Sequence, residues 1–527
     1  MLSGAGASTP TRTGIQGLSR RIWYPAALAC LALVARPSPA DTSDWDSFST
    51  HDLVAEGIAR GYGFDSTAFA CFDEVIRREP DHPRGYFLKA SGNFWYSLVN
   101  PADSASRESF REASQLAIAK AESLLGVDAE HAEALFYLGA AQGNLGRYYG
   151  LEGSWLRAFW TGRAGKNHLQ DLVEDHPDFI DAYLGLGIYH YYAATLPRVI
   201  RVLSTVVRMG GNRALGLAEL ERAAQEGDLA QTEARFFLGQ LFHEQEKDYV
   251  SSQVWLDPLV EEYPTNGLFR VYQAGNDYEL GDYSRMEESL TAFVAASSPG
   301  APPIVESRAH HLLGRMYSDT GRHALAAEHF RRASAVGDRL PELRDGVYAR
   351  SLVYEGECLE IGADRSAAEQ VYRRIPSGLS DEADRLVKER LRAPMTGVDI
   401  AVVRWRGLRR GGRDSEAVAV LERFRDTSGL PSGVDGARLV YRIGETLAAL
   451  DSVRLAEIEF RNAIELVGTD DRDLVSWAKY SLAECLLRQG RLAEAREALS
   501  AARAGASEEL LRKVSEAETR ASVGGER

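Results

Sequence analysis

Cysteine is scarce in this 527-residue chain, which has four, and no two of them form a C-x-x-C pair. That count excludes a disulfide scaffold, and the missing pair excludes a cysteine zinc site. A basic surplus is also lacking, because the formal net charge is −15. Nucleic acid is therefore not predicted as a partner. No apolar run approaches the 18 residues of a membrane-spanning helix, so none is expected.

Catalytic signatures are missing as well. Residues 162–167 contain a Gly-Lys step but lack the glycine at the required spacing and the Ser or Thr of a phosphate-binding loop. His243-Glu244 is not followed by the second histidine of a zinc protease, and no G-x-S-x-G sequence occurs. We therefore predict no enzyme activity, no metal and no cofactor. His190, which stands among tyrosines, is predicted to be a buried histidine with a satisfied hydrogen bond.

The N-terminus has the pattern of an export signal. Arg20-Arg21 precedes an apolar run, Pro25 to Ala35, and Ser38-Pro39-Ala40 offers a small-x-small cleavage site. We predict a signal peptide over residues 1–40 and an exported chain, periplasmic or associated with the outer membrane. The arginine pair leaves a twin-arginine signal open, and Cys30 leaves lipid attachment open.

A spaced pattern of small and large residues repeats along the rest of the chain. With Ser307 as position 1, positions 7, 8, 11, 15, 20, 24 and 27 hold Leu313, Gly314, Tyr317, Gly321, Ala326, Phe330 and Ala333. These positions recur, in full or in part, from starts at 232, 437 and 476. Small residues at positions 8 and 20 let two helices cross closely, and large residues at 7, 11 and 24 fill the space beside the crossing. A glycine near position 15 predicts a left-handed end to the first helix.

Prolines mark where the second helix of a unit should stop. They are Pro80, Pro177, Pro264 and Pro341.

This spacing resembles the tetratricopeptide repeat, a helix–turn–helix unit of 34 residues. The resemblance covers about 49–502 and implies an all-α fold, a right-handed α-solenoid of such units. The stretch 132–295 is also similar to a subgroup of these proteins found in bacterial envelopes.

The predicted organisation follows from where the repeat pattern is clear and where it weakens. After the signal peptide, residues 41–376 form an N-terminal and middle array with insertions at about 147–160 and 193–212. Residues 377–431 are predicted to be an irregular helical segment or bend. Residues 432–505 are C-terminal repeats, and 506–527 are a capping helix with a disordered tail.

Three consecutive units carry extra residues at the same turn, about 10 within 84–125, 14 near 147–160 and 19 near 193–212. Equivalent turns of a solenoid line one edge, which is often a binding face. The second insertion is aromatic. The third is basic, with Val199, Val202, Leu203 and Val206 at helical spacing. Both could pack as local core, or they could form a docking surface for a peptide or a membrane interface.

We predict a non-enzymatic interaction scaffold of the bacterial cell envelope, which binds a partner peptide or helix in the solenoid groove near the insertions. The alternative is an envelope assembly or ligand-binding factor that contacts the membrane surface peripherally through the basic insertion. The predicted partner-binding residues are Tyr148, Tyr149, Trp155, Trp160, Tyr191, Arg198 and Arg201. The repeat resemblance implies further contacts from first-helix residues, namely Tyr137, Tyr183, Arg235, His310 and Tyr441. The partner's identity and the oligomeric state are not specified by the sequence.

Overall fold

The computed structural model of the protein describes residues 45–99, 103–195, 211–296, 302–468 and 470–523, apart from Asp46, Phe64 and Ser66. These residues form 24 α-helices and no β-strand, which confirms the predicted all-α fold. The predicted signal peptide, with Cys30, lies outside the described residues.

The chain divides into two compact units whose sequences interleave. The first unit takes residues 1–277, 284–309 and 336–343. The helices that lie wholly or mainly in it are α1 (Thr50–Tyr62), α2 (Ala68–Arg78), α3 (Arg84–Val99), α4 (Ser104–Leu125), α5 (Ala132–Leu151), α6 (Trp155–Asp175), α7 (Ala182–Thr195), α8 (Arg213–Glu226), α9 (Gln231–Leu241), α10 (Tyr249–Glu262), α11 (Gly267–Leu280) and α12 (Tyr283–Ala296). A π-helical turn, Phe242–Glu246, continues α9.

The second unit takes residues 278–283, 310–335 and 344–527. Its helices are α13 (Pro303–Asp319) and α14 (His323–Arg339), which lie mainly in it, then α15 (Gly346–Ile361), α16 (Arg365–Arg373), α17 (Asp381–Arg392), α18 (Gly397–Arg410), α19 (Asp414–Ser428), α20 (Gly433–Ala449), α21 (Val453–Val467), α22 (Arg472–Arg488), α23 (Leu492–Arg503) and α24 (Glu508–Val523).

In several repeats, a glycine of the first helix lies against a large side chain of the second helix, such as a phenylalanine. A Cβ atom at Gly314 would lie 2.7 Å from the Phe330 ring, and one at Gly444 would lie 2.9 Å from the Phe460 ring. These glycines and rings occupy positions 8 and 24 of the repeat. The spacing in the sequence therefore reports the closest contact between the two helices.

The ends of the helices follow the predicted signals. Gly321 stands at position 15 with φ of 79°, a left-handed conformation that closes α13. The four prolines that were predicted to stop second helices each stand two residues beyond a helix end. They follow α2, α6, α10 and α14.

Residues 377–431 contain three helices, α17, α18 and α19. Helices α18 and α19 pair as another hairpin, whereas α17 is an additional helix that the repeat pattern does not contain. The buried Arg390 of α17 lies 3.2 Å from Glu357 of α15 and 3.3 Å from Asp399 of α18. This arginine therefore ties the additional helix to both neighbours.

Helix α24 ends the second unit as a cap. Leu510, Val514 and Ala517 are buried against Leu499 and Ala502 of α23.

Candidate functional site at the tip of the α5–α6 hairpin

The α5–α6 hairpin is longer than its neighbours. Helices α5 and α6 have 20 and 21 residues, whereas α3 and α4 of the preceding hairpin have 16 and 22, and α7 and α8 of the following hairpin have 14 each. The extra residues near 147–160 therefore lengthen both helices, and only 152–154 form the turn between them. We call residues 146–163 the α5–α6 tip.

Close packing holds the α5–α6 tip together. A Cβ atom at Gly146 would lie 2.9 Å from the backbone nitrogen of Gly162, so the two helices touch there without side chains between them. The ring of Tyr148 packs 5.0 Å from that of Phe110 on α4, and its hydroxyl donates to Glu152 at 2.7 Å. Burial, together with that carboxylate, raises the pKa of Tyr148 to about 12.

One face of α6 leaves large apolar side chains in solvent. Leu156 is 78% exposed and Trp160 is 59% exposed, and the ring of Phe159 lies 4.9 Å from that of Trp160. Trp155 and Tyr149 are half-buried. The guanidinium of Arg157 lies 5.0 Å from the centre of the Tyr149 ring. Of the residues predicted to bind a partner, Tyr149, Trp155 and Trp160 are thus accessible.

Tyr148 and Tyr191 are buried, and each ring packs inside the repeats. Tyr191 is 1% exposed, and its hydroxyl donates to Glu246 at 2.6 Å. Arg198 and Arg201, within the third predicted insertion, lie outside the described residues.

The described residues on either side of 196–210 lie next to each other. A Cβ atom at Gly211 would collide with the backbone of Ala193 and Ala194, and the Asn212 nitrogen donates to the His190 carbonyl at 3.1 Å. The last residues of α7 and the first residues before α8 are therefore in contact.

The histidines that drew attention in the sequence have ordinary partners. His190 lies 2.6 Å from the buried Glu219, as expected for a satisfied histidine. His310 of α13 contacts His329 at 3.0 Å, and burial, followed by the charge of its neighbour, lowers the pKa of His310 to about 4. No group of three or more metal-ligating side chains occurs among the described residues. Within the same residues, no helix is long and apolar enough to cross a bilayer.

The inner side of the first unit is filled by its own side chains. Arg147 of α5 lies 5.0 Å above the Phe94 ring and 5.9 Å above the Phe237 ring, and it pairs with Glu233 of α9 at 3.1 Å. Helix α9 is buried on almost every side. Sequence reasoning missed this cluster, because nothing local brings α3, α5 and α9 together.

The end of α1 also contacts the connection between α10 and α11. The side chain of Asn266 donates to the carbonyl of Tyr62 at 3.0 Å, and Thr265 donates to that of Gly63 at 2.9 Å. The rings of Tyr62 and Tyr263 lie 5.5 Å apart. In the first unit, these contacts take space that an open groove would give to a peptide.

Most first-helix residues that were expected to line a groove have little free surface. Tyr137, His310 and Tyr441 are 2%, 3% and 5% exposed. Tyr183 and Arg235 are half-buried. The face of α6 at Leu156 and Trp160 is more accessible than any of these positions.

This chain is similar to several known proteins. A family model described as "Tetratricopeptide repeat" matches residues 441–509, from α20 into α24. A tetratricopeptide repeat protein from Parabacteroides merdae is 14% identical, with 60% of this chain and 98% of that chain covered and a TM-score of 0.28. Yeast Tom70 is 11% identical, with coverages of 84% and 88% and a TM-score of 0.30. The apo form of the quorum sensor NprR from B. thuringiensis is 12% identical, with coverages of 74% and 99% and a TM-score of 0.37. No curated protein matches the chain in sequence.

Proposed function

We propose that this chain, which contains tetratricopeptide repeats, is a non-enzymatic scaffold of the bacterial cell envelope that docks a protein partner at the α5–α6 tip. The single observation that carries this proposal is the exposed face of α6 at Leu156 and Trp160. Tryptophan and other large aromatic side chains are enriched in protein interfaces and depleted on free surfaces.

In this proposal, the partner binds at the edge of the array, at the α5–α6 tip, and not in the groove. Arg147 and its aromatic neighbours fill the inner side of the first unit, so an extended peptide would have to displace buried side chains there. The α5–α6 tip needs no such rearrangement, because its apolar side chains are already in solvent. Binding at the tip therefore avoids the cost of opening a packed core.

Export is part of the proposal. Support comes from the arginine pair, the short apolar run and the small-x-small site in residues 1–40. The similarity of 132–295 to envelope proteins of the same repeat family points the same way.

Crosslinked affinity capture tests the scaffold proposal. The tagged full chain is expressed in its native host, crosslinked, and purified from the envelope fraction for mass spectrometry. We expect a stoichiometric protein partner that is lost with the double variant Leu156→Ala/Trp160→Ala. The matched control, Val250→Ala/Val254→Ala, removes two equally exposed apolar side chains from α10 and should retain the partner.

Deleting residues 196–210 separates the scaffold from the alternative. Loss of membrane association with the partner still bound would favour a membrane-surface factor that uses the basic insertion. A chain without a stoichiometric partner in the envelope fraction would contradict the scaffold proposal itself.

A further inference from the structure

The exposed face of α6 has the geometry of a helix-docking strip. Leu156, Trp160 and Arg163 follow one another at i, i+4 and i+7, so they lie along one side of the helix. Scattered single exposed leucines are normal on protein surfaces. Here a leucine and a tryptophan are neighbours, and the half-buried Phe159 extends the apolar area beside them.

The strip lies on a rigid support. The backbones of α5 and α6 touch at Gly146 and Gly162, and Tyr148 is wedged against Phe110 of α4. Side chains on such a support lose little conformational entropy when a partner arrives. A helix face that is fixed in this way favours a partner of complementary, equally regular shape.

The charge around the strip differs from that of the rest of the chain. Residues 154–170 contain three basic residues and no Asp or Glu, although the chain has 76 acidic residues and a net charge of −15. The one acidic residue of the α5–α6 tip, Glu152, accepts a hydrogen bond from Tyr148. Arg157 stands beside Leu156, and Arg163 continues the strip toward the middle of α6. Within the described residues, no carboxylate is paired with Arg157. A partner with acidic residues beside its apolar stripe would complement this arrangement.

A helix fits the strip better than an extended peptide. One way in which an extended peptide binds is by adding a strand to a sheet edge, and the described residues contain no strand that could accept it. An i, i+4, i+7 strip instead matches the ridge of a second helix, whose own apolar residues recur with the same spacing.

We propose that the α6 strip, formed by Leu156, Trp160 and Arg163 with Arg157 at its side, docks an amphipathic helix of the partner that carries acidic residues beside its apolar stripe. This inference rests on the proposed scaffold function and names the chemistry of its partner. The apolar stripe covers Leu156 and Trp160, and an acidic residue of the partner pairs with Arg157.

A helix-display library tests this proposal with the full chain. The library holds helices of about five turns, with leucines fixed at i, i+4 and i+7 and the flanking positions drawn from Glu, Lys and Gln. It is selected on the wild-type protein and counter-selected on the Leu156→Ala/Trp160→Ala variant. We expect the surviving helices to be enriched in Glu. They should bind the double variant at least about tenfold more weakly than the wild type.

The control variant, Val250→Ala/Val254→Ala, should bind the selected helices as the wild type does. Its two valines have the same i, i+4 spacing and similar exposure, at 62% and 63%, but α10 has no arginine beside them. Unchanged circular dichroism and thermal midpoint show that each variant is folded.

Three results would overturn the proposal. The first is enrichment of Lys in the flanks, or failure of any helix to survive the counter-selection. The second is flotation of the chain with phosphatidylglycerol vesicles that is lost in the α6 double variant, which would identify a membrane as the occupant. The third is helix binding that appears only after residues 196–210 are deleted, which would identify that segment as the occupant. If the double variant loses the envelope partner but no Glu-rich helix is selected, the proposed function stands and only this inference fails.

Discussion

At the scale of single residues, burial separates the predicted contacts into two groups. The rings of Tyr148 and Tyr191 are buried within the repeats, and their hydroxyls donate hydrogen bonds to Glu152 and Glu246, respectively. The side chain of Trp160, by contrast, is exposed to solvent. An aromatic residue at helical spacing suits a core as well as an interface, so the sequence alone could not distinguish these roles.

Arg147 offers a first test at this scale. It is nine-tenths buried among aromatic rings, and Glu233 is its partner. We expect Arg147→Ala to lower the free energy of unfolding by about 3–5 kcal/mol, because Glu233 is left as an unpaired buried charge. The pair Arg147→Met/Glu233→Met should cost much less, since neither charge remains. Urea denaturation measures both, and a larger loss for the pair than for the single variant would contradict this account.

The contact between His310 and His329 leads us to expect that the folded chain loses stability in acid. The folded pKa of His310 is lowered to about 4, first by burial and then by His329, whereas the unfolded value is 6.5. Below pH 6.5 the unfolded chain therefore binds more protons than the folded chain. Stability is fully present above pH 6.5 and falls as the pH drops toward 4, by up to about 3 kcal/mol.

The measurement is the difference in unfolding free energy between pH 7 and pH 5. His310→Asn should make this difference smaller, and His51→Gln, which alters an exposed histidine, should leave it unchanged. A pH dependence that is identical in His310→Asn and in the wild type would be inconsistent with the explanation.

At the scale of elements, the hairpins were predictable because their closest contact leaves a trace in the sequence. Glycine at position 8 and an aromatic ring at position 24 occur where the helices cross, as in Gly314 and Phe330. The additional helix α17 was not predictable from that pattern. It has no hairpin partner of its own. The buried pairs of Arg390 join it to residues 33 and 9 positions away, on two other helices, and the repeat pattern specifies neither contact.

Two glycines of α6 test the close approach of α5 and α6. An added Cβ at Gly165 would lie 2.5 Å from the Gly139 carbonyl oxygen and 2.8 Å from the Gly143 nitrogen, whereas one at Gly162 would meet nothing within 4 Å. We expect Gly165→Ala to cost about 1–3 kcal/mol of stability through overpacking. Gly162→Ala should be neutral or stabilise by up to about 1 kcal/mol, because alanine favours the helix. Equal effects of the two changes in thermal denaturation would refute the contact.

At the scale of the whole molecule, the all-α repeat architecture followed from the sequence, whereas the filled inner side of the first unit did not. That filling depends on contacts such as Asn266 with Tyr62, which join residues about 200 positions apart. No repeat pattern encodes such a contact, because each unit's signature describes only its own hairpin and its immediate neighbours.

Export is a prediction about the whole chain. We expect the chain recovered from the native host to begin at Asp41, after removal of residues 1–40, and to fractionate with the envelope. N-terminal sequencing of the purified protein checks this prediction. An intact N-terminus on a cytoplasmic chain would remove the envelope from the proposal.

Site-specific photocrosslinking in living cells tests the central claim most directly. A photoreactive phenylalanine derivative replaces Leu156 on the α6 strip in one variant and Val250 on α10 in another; the two residues have comparable exposure. The account predicts one dominant adduct with a partner protein at position 156 and none at position 250. Adducts of equal yield at both positions, or none at position 156, would contradict a scaffold that docks its partner at the α5–α6 tip.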